Sequence, residues 1–527
     1  MEVPTATSLH DIYPDDVIEA QKKRWVQLLA KFNELYGKTA DFVSRSPGRV
    51  NIIGEHIDYS LYEVLPMAVT ADVIIAVSVR PTSESPRIRI ANINSQKFPT
   101  REFEIPTDGA IDIDAEAHEW TNYFKAGLRG ASELLQKKRQ EKGHFTSVGM
   151  DVLVNGTVPS GGGLSSSAAF VCASALAVMR ANGEEAVDKK ELTELAIVSE
   201  RAVGVNSGGM DQSASVFGMP GQAVYVSFKP HLSAKDIVFP ETDPKLEFVV
   251  AQSFVAADKH VTAPVCYNLR VVECSLAAVF LAKVFGLKRE LPEDSAPLGV
   301  SLRGFQDTFF EEKDGVKDNT QISVDEHQKQ LEQLVQLTED YLAQEEGYTR
   351  EEISDLLGIS VDELNKRFTS RFPVRAERFK LRQRALHVFK EAIRVGKFMK
   401  LLETPPTTSS GKTDTKKLCE ELGALMNETQ DSCRDVYECS CPELDELCQL
   451  ARSAGAYGSR LTGAGWGGCC VHLVSKDKVE AVKKAWEEKY YRKKFPDITP
   501  EKLAEAVLVS EPGSGSMVFK ITGDAVA

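Results

Sequence analysis

One stretch limits the fold of this chain more than any other: Val158-Pro159-Ser160-Gly161-Gly162-Gly163-Leu164-Ser165-Ser166-Ser167-Ala168-Ala169. Gly161, Gly162 and Gly163 carry no Cβ, so the backbone there can fold tightly and come close to a ligand. Leu164, Ser165, Ser166 and Ser167 follow, and a helix-forming run then extends over 168–181. Upstream, Met150-Asp151-Val152-Leu153-Val154 reads as a strand. A strand, a glycine loop and a hydroxyl-rich helix start offer unpaired N–H groups and the positive end of a helix dipole to an anion. The pattern predicts a phosphate cradle and points to nucleotide chemistry. No Lys follows the glycines, so it is not a Walker A sequence.

A chain of 527 residues is too long for one small core, and two domains are expected. With 42% hydrophobic and 27% charged residues the chain is ordinarily globular. A net charge of −14 argues against a protein that coats nucleic acid or an anionic membrane. The start, Met-Glu-Val-Pro-Thr-Ala-Thr, has neither a basic segment nor an apolar core, so no signal peptide is read there. No apolar run approaches the ~20 residues of a membrane span. A soluble, intracellular protein is expected, with its ten cysteines mostly buried thiols. Cys433, Cys439, Cys441 and Cys448 crowd together but lack zinc-knuckle spacing and a nearby His.

Apolar spacing predicts an amphipathic helix over 15–36, with Trp25, Leu28, Leu29, Phe32, Leu35 and Tyr36 on one face. Strands are expected at 72–79, 87–91, 150–154, 223–228 and 246–251, and helices at 118–135, 168–181 and 189–203. The second half is more helical, over 264–286, 324–344, 376–402, 416–428 and 442–454. It ends in strands at 469–474, 506–510 and 516–521, with a helix over 476–489. A domain boundary is placed at 235/236. Residues 311–330 and 345–416 read as insertions, and 403–416 as a mobile loop.

Two motifs are set aside. Ser410-Gly411-Lys412-Thr413 ends like a Walker A sequence, but Pro406 replaces its first glycine and no strand precedes it. Residues 348–368 are spaced like a helix-turn-helix, yet they carry acidic rather than basic side chains and read as a surface hairpin. No nucleic-acid or membrane partner is expected.

Three further segments are dense in polar chemistry. The first is Ser46-Pro47-Gly48-Arg49-Val50-Asn51-Ile52-Ile53-Gly54-Glu55-His56-Ile57-Asp58-Tyr59. Taken alone it is either a charged surface loop or a site for a polyhydroxylated ligand, because carboxylates accept hydrogen bonds from hydroxyls strongly. The second, Gly204-Val205-Asn206-Ser207-Gly208-Gly209-Met210-Asp211-Gln212-Ser213, puts Asp211 at a helix start, where it also suits a cap. The third is a glycine turn, Arg460-Leu461-Thr462-Gly463-Ala464-Gly465-Trp466-Gly467-Gly468, feeding a strand.

Together the four segments resemble the galactokinases, within the GHMP small-molecule kinase superfamily, and the length resembles the fungal branch. The resemblance implies an α+β fold with two-domain GHMP kinase architecture: mixed sheets with helices and an active site in the cleft between domains. It implies transfer of the ATP γ-phosphoryl group to the anomeric hydroxyl of galactose. It assigns Arg49 and Asp211 as the catalytic pair, with Arg49 keeping Asp211 ionised and offsetting phosphoryl charge. Glu55, His56, Asp58 and Tyr267, with Arg49 and Asp211, are implied to bind the sugar. Gly161, Gly162, Gly163, Leu164, Ser165, Ser166 and Ser167 would cradle the ATP phosphates. Trp120 and Tyr123 would lie near the adenine, with Lys259 a further nucleotide contact. Ser167 (or Ser166) and Glu200 would hold Mg2+. The same motifs occur in N-acetylgalactosamine kinases and in galactose- and ATP-binding sensors that act on a transcriptional repressor. The sensors have a shortened Ser-Ala stretch in the phosphate loop, whereas Ser165-Ser166-Ser167-Ala168-Ala169 is full length here. Cytoplasmic location is expected.

Overall fold

The computed structural model describes the chain except residues 82–84, 107–110, 115–116, 118, 140–144, 160, 205–207, 256–261, 371–373 and 522–527. The strands, in chain order, are β1 (Thr5–Ala6), β2 (Phe42–Ile53), β3 (Leu65–Val79), β4 (Arg87–Asn92), β5 (Arg101–Glu104), β6 (Met150–Gly156), β7 (Gln222–Ser227), β8 (Ser233–Val238), β9 (Leu246–Gln252), β10 (Gly458–Thr462), β11 (Cys469–Ser475), β12 (Val507–Ser510) and β13 (Met517–Lys520). They form a seven-stranded mixed sheet in the order β1-β13-β2-β3-β6-β4-β5, a four-stranded sheet β10-β11-β9-β12, and a ribbon β7-β8.

The middle of β3, 73–77, and of β6, 152–154, is apolar because both faces of the large sheet are covered there. Ile74, Ala76 and Leu153 face the helix α1 (Ile18–Tyr36), whose Trp25 and Phe32 are fully buried. Their neighbours Val73, Ile75, Val77, Val152 and Val154 face the main core. That side is filled by α2 (Asn122–Arg139), α3 (Ser166–Ala181), α4 (Lys189–Arg201) and α5 (Met210–Phe217). Small residues let α2 and α3 touch closely: a Cβ on Gly127 would lie 2.7 Å from the Ala175 nitrogen. The predicted helix over 118–135 begins at Asn122. Trp120 belongs to the preceding turn, where Asn122 Nδ2 donates to the Asp114 and Ala117 carbonyls, and His118 lies outside the described residues.

The last strand returns to the first sheet. β13 pairs with β2 and β1, and buried Arg45 donates to the Ser514 and Gly515 carbonyls and to Asp72. The β7-β8 ribbon straddles residue 235. The second half packs long helices against the four-stranded sheet. The low-apolar stretch over 311–330 contributes buried groups: Asn319 and Gln330 hydrogen-bond each other, Asn319 also bonds Asp307, and Gln330 also bonds Gln306. Residues 348–368 form two short helices, Arg350–Leu357 and Val361–Phe368. All ten cysteines are free and most are buried.

Candidate active site

The first motif is not a surface loop. From Val43 onward every residue of β2 is buried, and the ladder to β3 breaks register between Pro47 and Arg49. Pro47 has no N–H to donate, so the break falls where the ladder loses a bond anyway. At the break the strand meets the phosphate loop. The Arg49 N–H donates to the Leu164 carbonyl, and a Cβ on Gly48 would lie 2.6 Å from that same oxygen. Arg49 Nη1 donates to the Gly163 carbonyl at 2.7 Å, while its Nε and Nη2 reach Asp211 Oδ1 at 2.8 and 2.7 Å. Asp211 stands in the first turn of α5 and keeps 16% of its side chain exposed, against 4% for Arg49. One guanidinium thus joins the glycine loop to the Asp of the second motif, whose side chain stays partly exposed.

The third motif closes the loop from behind. A Cβ on Gly463 would lie 2.6 Å from the Gly163 oxygen, so the two glycine turns pack backbone to backbone. α3 starts directly after, with Ser165 as its left-handed N-terminal residue. Ser165 is buried, and its Oγ has no hydrogen-bond partner among the described residues. Such a helix start leaves N–H groups without intrahelical partners.

Asp58, His56 and Glu55 differ in what already holds them. Asp58 Oδ2 accepts the Met210 N–H at 3.3 Å, so it sits beside the residue preceding Asp211. Burial, and next the neighbouring Asp211 charge, push its carboxyl up to about 6, against the Met210 N–H and His56. A Cβ on Gly208 would lie 2.5 Å from the Asp58 carboxyl carbon, so this approach needs glycine. His56 Nε2 donates to the Ala464 carbonyl at 3.0 Å and Nδ1 bonds the Tyr59 hydroxyl at 3.0 Å. Tyr59 in turn bonds Tyr437 at 2.5 Å. Glu55 Oε2 pairs with buried Arg460 and accepts the Gly463 N–H at 3.1 Å. Tyr267 starts the helix Tyr267–Val284, its ring 5.6 Å from that of His56. Burial raises its hydroxyl pKa well above the ordinary range, and the charges of Asp58, Asp211 and Glu55 add to this while Arg49 opposes them.

On the other side of the phosphate loop, the rings of Trp120 and Phe170 stack with centroids 6.0 Å apart and planes 11° apart, and Tyr123 lies 6.4 Å from Phe170. Glu200, on α4, is buried and accepts a hydrogen bond from Gln212, the residue after Asp211. Lys259 lies outside the described residues.

Sequence reasoning missed several participants. Phe170 sits four residues after Ser166, one helical turn on, and that spacing to an aromatic was the available signal. Arg460 opens the glycine turn, and its partner Glu55, in the turn after β2, lies 405 residues away in the chain. Glu391 lies in the helix Leu381–Glu403 and Tyr437 in the bend after the helix Thr415–Asp435, and neither stretch carries a motif.

Residues 30–79 match the galactokinase galactose-binding signature, 122–219 the GHMP kinases N terminal domain and 415–492 the GHMP kinases C terminal model. The galactokinase of Candida parapsilosis is 41% identical over 99% of this chain and 98% of its own. That of Saccharomyces cerevisiae is 42% identical over 94% of each. Among solved structures, Lactococcus lactis galactokinase complexed with galactose superposes with a TM-score of 0.63 at 23% identity, covering 94% of this chain and 100% of that one. The fold is the two-domain GHMP kinase architecture, and with full-length relatives at this identity the chain belongs to the galactokinase family.

Proposed function

We propose that this chain is an ATP-dependent galactokinase, converting α-D-galactose and ATP to galactose 1-phosphate and ADP, the first committed step of galactose catabolism. The observation that carries the reading is the Arg49 guanidinium bonded at once to Asp211 and to the Gly163 carbonyl of the phosphate loop. It supports a carboxylate lying beside the proposed triphosphate site. In the reaction the anomeric oxygen bonds to the γ-phosphorus, the bond from that phosphorus to the β,γ-bridging oxygen breaks, and ADP leaves. The hydroxyl proton goes to Asp211. Transfer through a loose transition state asks little of base strength and much of position and charge, which Arg49 supplies.

Asp58, His56, Tyr267 and Glu55 are proposed to hold the sugar, Glu55 through Oε1 because Oε2 is committed to Arg460. The N–H groups over 161–167 and the hydroxyls of Ser165, Ser166 and Ser167 take the phosphates. Trp120 and Tyr123, with Phe170, form the adenine side. For Mg2+, Ser167 and Glu200 offer only hard oxygen donors, which fits an ion that keeps several waters and binds phosphate oxygens. When bound, it would neutralise phosphate charge. We take 1–235 and 236–527 as the two kinase domains, with β13 crossing back, and the cytoplasm as the place of action. Among the described residues no helix is long and apolar enough to cross a membrane. A repressor partner is a separate proposal, tested by pull-down with and without galactose plus ATP.

ADP release measured with galactose, N-acetylgalactosamine, glucose and mevalonate side by side tests the reading. Galactose is expected to dominate, and N-acetylgalactosamine turned over faster than galactose would replace it.

A further inference from the structure

The helix Leu381–Glu403 lies within the stretch read from sequence as an insertion, yet two of its residues hold the backbone of the first motif. Glu391 Oε1 accepts the N–H of Gly54 at 2.8 Å and of Glu55 at 3.0 Å. His387, one turn earlier on the same face, bonds through Nε2 to the Glu55 carbonyl at 2.9 Å. A carbonyl only accepts, so Nε2 carries the proton and Nδ1 takes the Ser432 hydroxyl at 2.9 Å. Both ends of one residue's backbone are thereby gripped by one helix face.

The grip is itself braced. Glu391 Oε2 accepts from Arg394 Nε at 2.7 Å and Thr429 Oγ1 at 2.8 Å, and Thr429 and Ser432 sit together on the helix Thr415–Asp435. Glu391 and His387 are fully buried. Burial opposes charge on Glu391, but Arg394 above all, with Arg460 and the Glu55 N–H, outweighs it and holds the carboxyl at about 2. Glu55, Glu391, Arg394 and Arg460 thus form a buried set of two carboxylates and two guanidiniums. The next residue, His56, has a positive φ of 61°, which a non-glycine residue adopts only when its surroundings impose it.

We propose that Glu391 and His387 are positioning residues for sugar recognition, clamping the Glu55 backbone so that Glu55, His56 and Asp58 are held at a fixed reach from galactose. The inference rests on the proposed galactokinase reading. Neither residue is placed in contact with sugar or nucleotide. Their loss is expected to act on one substrate only.

The test is steady-state kinetics of the full chain, with KM for galactose at saturating ATP and KM for ATP at saturating galactose. The proteins are wild type, Glu391→Gln, His387→Leu and His387→Gln, each with a thermal melt. Glu391→Gln sets an amide donor against Arg394 or the Glu55 N–H, and His387→Leu removes the donor to Glu55. Each is expected to raise galactose KM about tenfold or more, since small misplacements are amplified in recognition, with ATP KM changing less than about twofold. His387→Gln keeps an N–H donor and is expected to restore galactose KM to within about threefold. Unchanged galactose KM, equal rises for both substrates, or no difference between His387→Leu and His387→Gln would overturn the inference. If Glu391→Gln fails to fold, the His387 pair decides it. A wild-type chain inactive on galactose overturns the proposed function and this inference together. An active wild type with unaltered variants overturns the inference alone.

Discussion

Arg49 and Asp211 are 162 positions apart in the chain and 2.7 Å apart in space. Two local features bring them together. The register break after Pro47 lets β2 meet the phosphate loop at Arg49, and Gly209, at φ 120°, turns the chain into α5 so that Asp211 falls in its first turn. A nearly buried ion pair is a poor source of stability, because desolvation offsets much of the Coulomb gain. Its value here lies in geometry: Arg49 has a third bond, to Gly163, that ties the pair to the cradle.

Asp211→Ala is expected to lower kcat by about a thousandfold or more, worth roughly 4 kcal/mol of barrier. Galactose should still bind within a few-fold of wild type by calorimetry. A kcat within about tenfold of wild type, only ~1.4 kcal/mol, would remove Asp211 from the reaction. Arg49→Lys should also fail, since one ammonium cannot reproduce the guanidinium fork that serves Asp211 and Gly163 together.

Asp58 has a pH signature. Its carboxyl moves from 3.8 to about 6 in the folded chain, through burial first and the Asp211 charge second. A raised carboxyl pKa means the fold favours the protonated form. The stability it contributes is present below pH ~4 and lost as pH rises through about 6. At pH 8 the ionised Asp58 is therefore a cost, and Asp58→Asn should be more stable than wild type by on the order of 1–3 kcal/mol. The gap should close toward pH 4 in denaturant melts. The same ionised carboxylate is the one proposed to accept from the sugar, so kcat/KM for galactose should climb between pH 5 and 7 in the wild type.

Gly48→Ala probes the junction of strand and loop. The added Cβ would stand 2.6 Å from the Leu164 oxygen and 2.9 Å from Val158 Cγ1, so backbone must move. A loss of about 1–3 kcal/mol in stability is expected. KM for ATP should rise more than KM for galactose, because the displaced segment is the proposed phosphate loop. Equal effects on both would show that the strain spreads through β2 instead.

Trp120→Ala and Phe170→Ala remove the stacked pair beside α3. Each should raise KM for ATP while leaving KM for galactose within about twofold, since an aromatic contact of this kind is worth about 0.5–1.5 kcal/mol beyond its buried area. A matching rise in galactose KM would separate these rings from the nucleotide.

Much of this arrangement is legible in the chain itself. Apolar alternation marks β6 and α3, and the glycines between them mark a loop that approaches other backbone. Predicted elements such as 189–203, 442–454 and 469–474 lie within a residue or two of α4, Pro442–Ser453 and β11. The start of α2 was misplaced because Trp120 and Thr121 have helical spacing, whereas Asn122 spends its side chain on the preceding turn. β2 escaped notice because its run of Ser, Arg and Pro does not alternate. It is a strand through its neighbours β3 and β13 and through buried partners for Arg45 and Arg49.

The local chemistry was written in the order of residues: glycines where backbones touch, serines at a helix start, carboxylates and an imidazole in one short segment. Which cation each carboxylate meets was decided by the tertiary structure alone. Asp211 pairs with Arg49 and stays partly exposed, while Glu55 is joined to Arg460 and its backbone is gripped by Glu391 and His387. A charge's partner is set by distance in space, and burial sets how strongly the two interact. Neither quantity is a property of any stretch of sequence taken by itself.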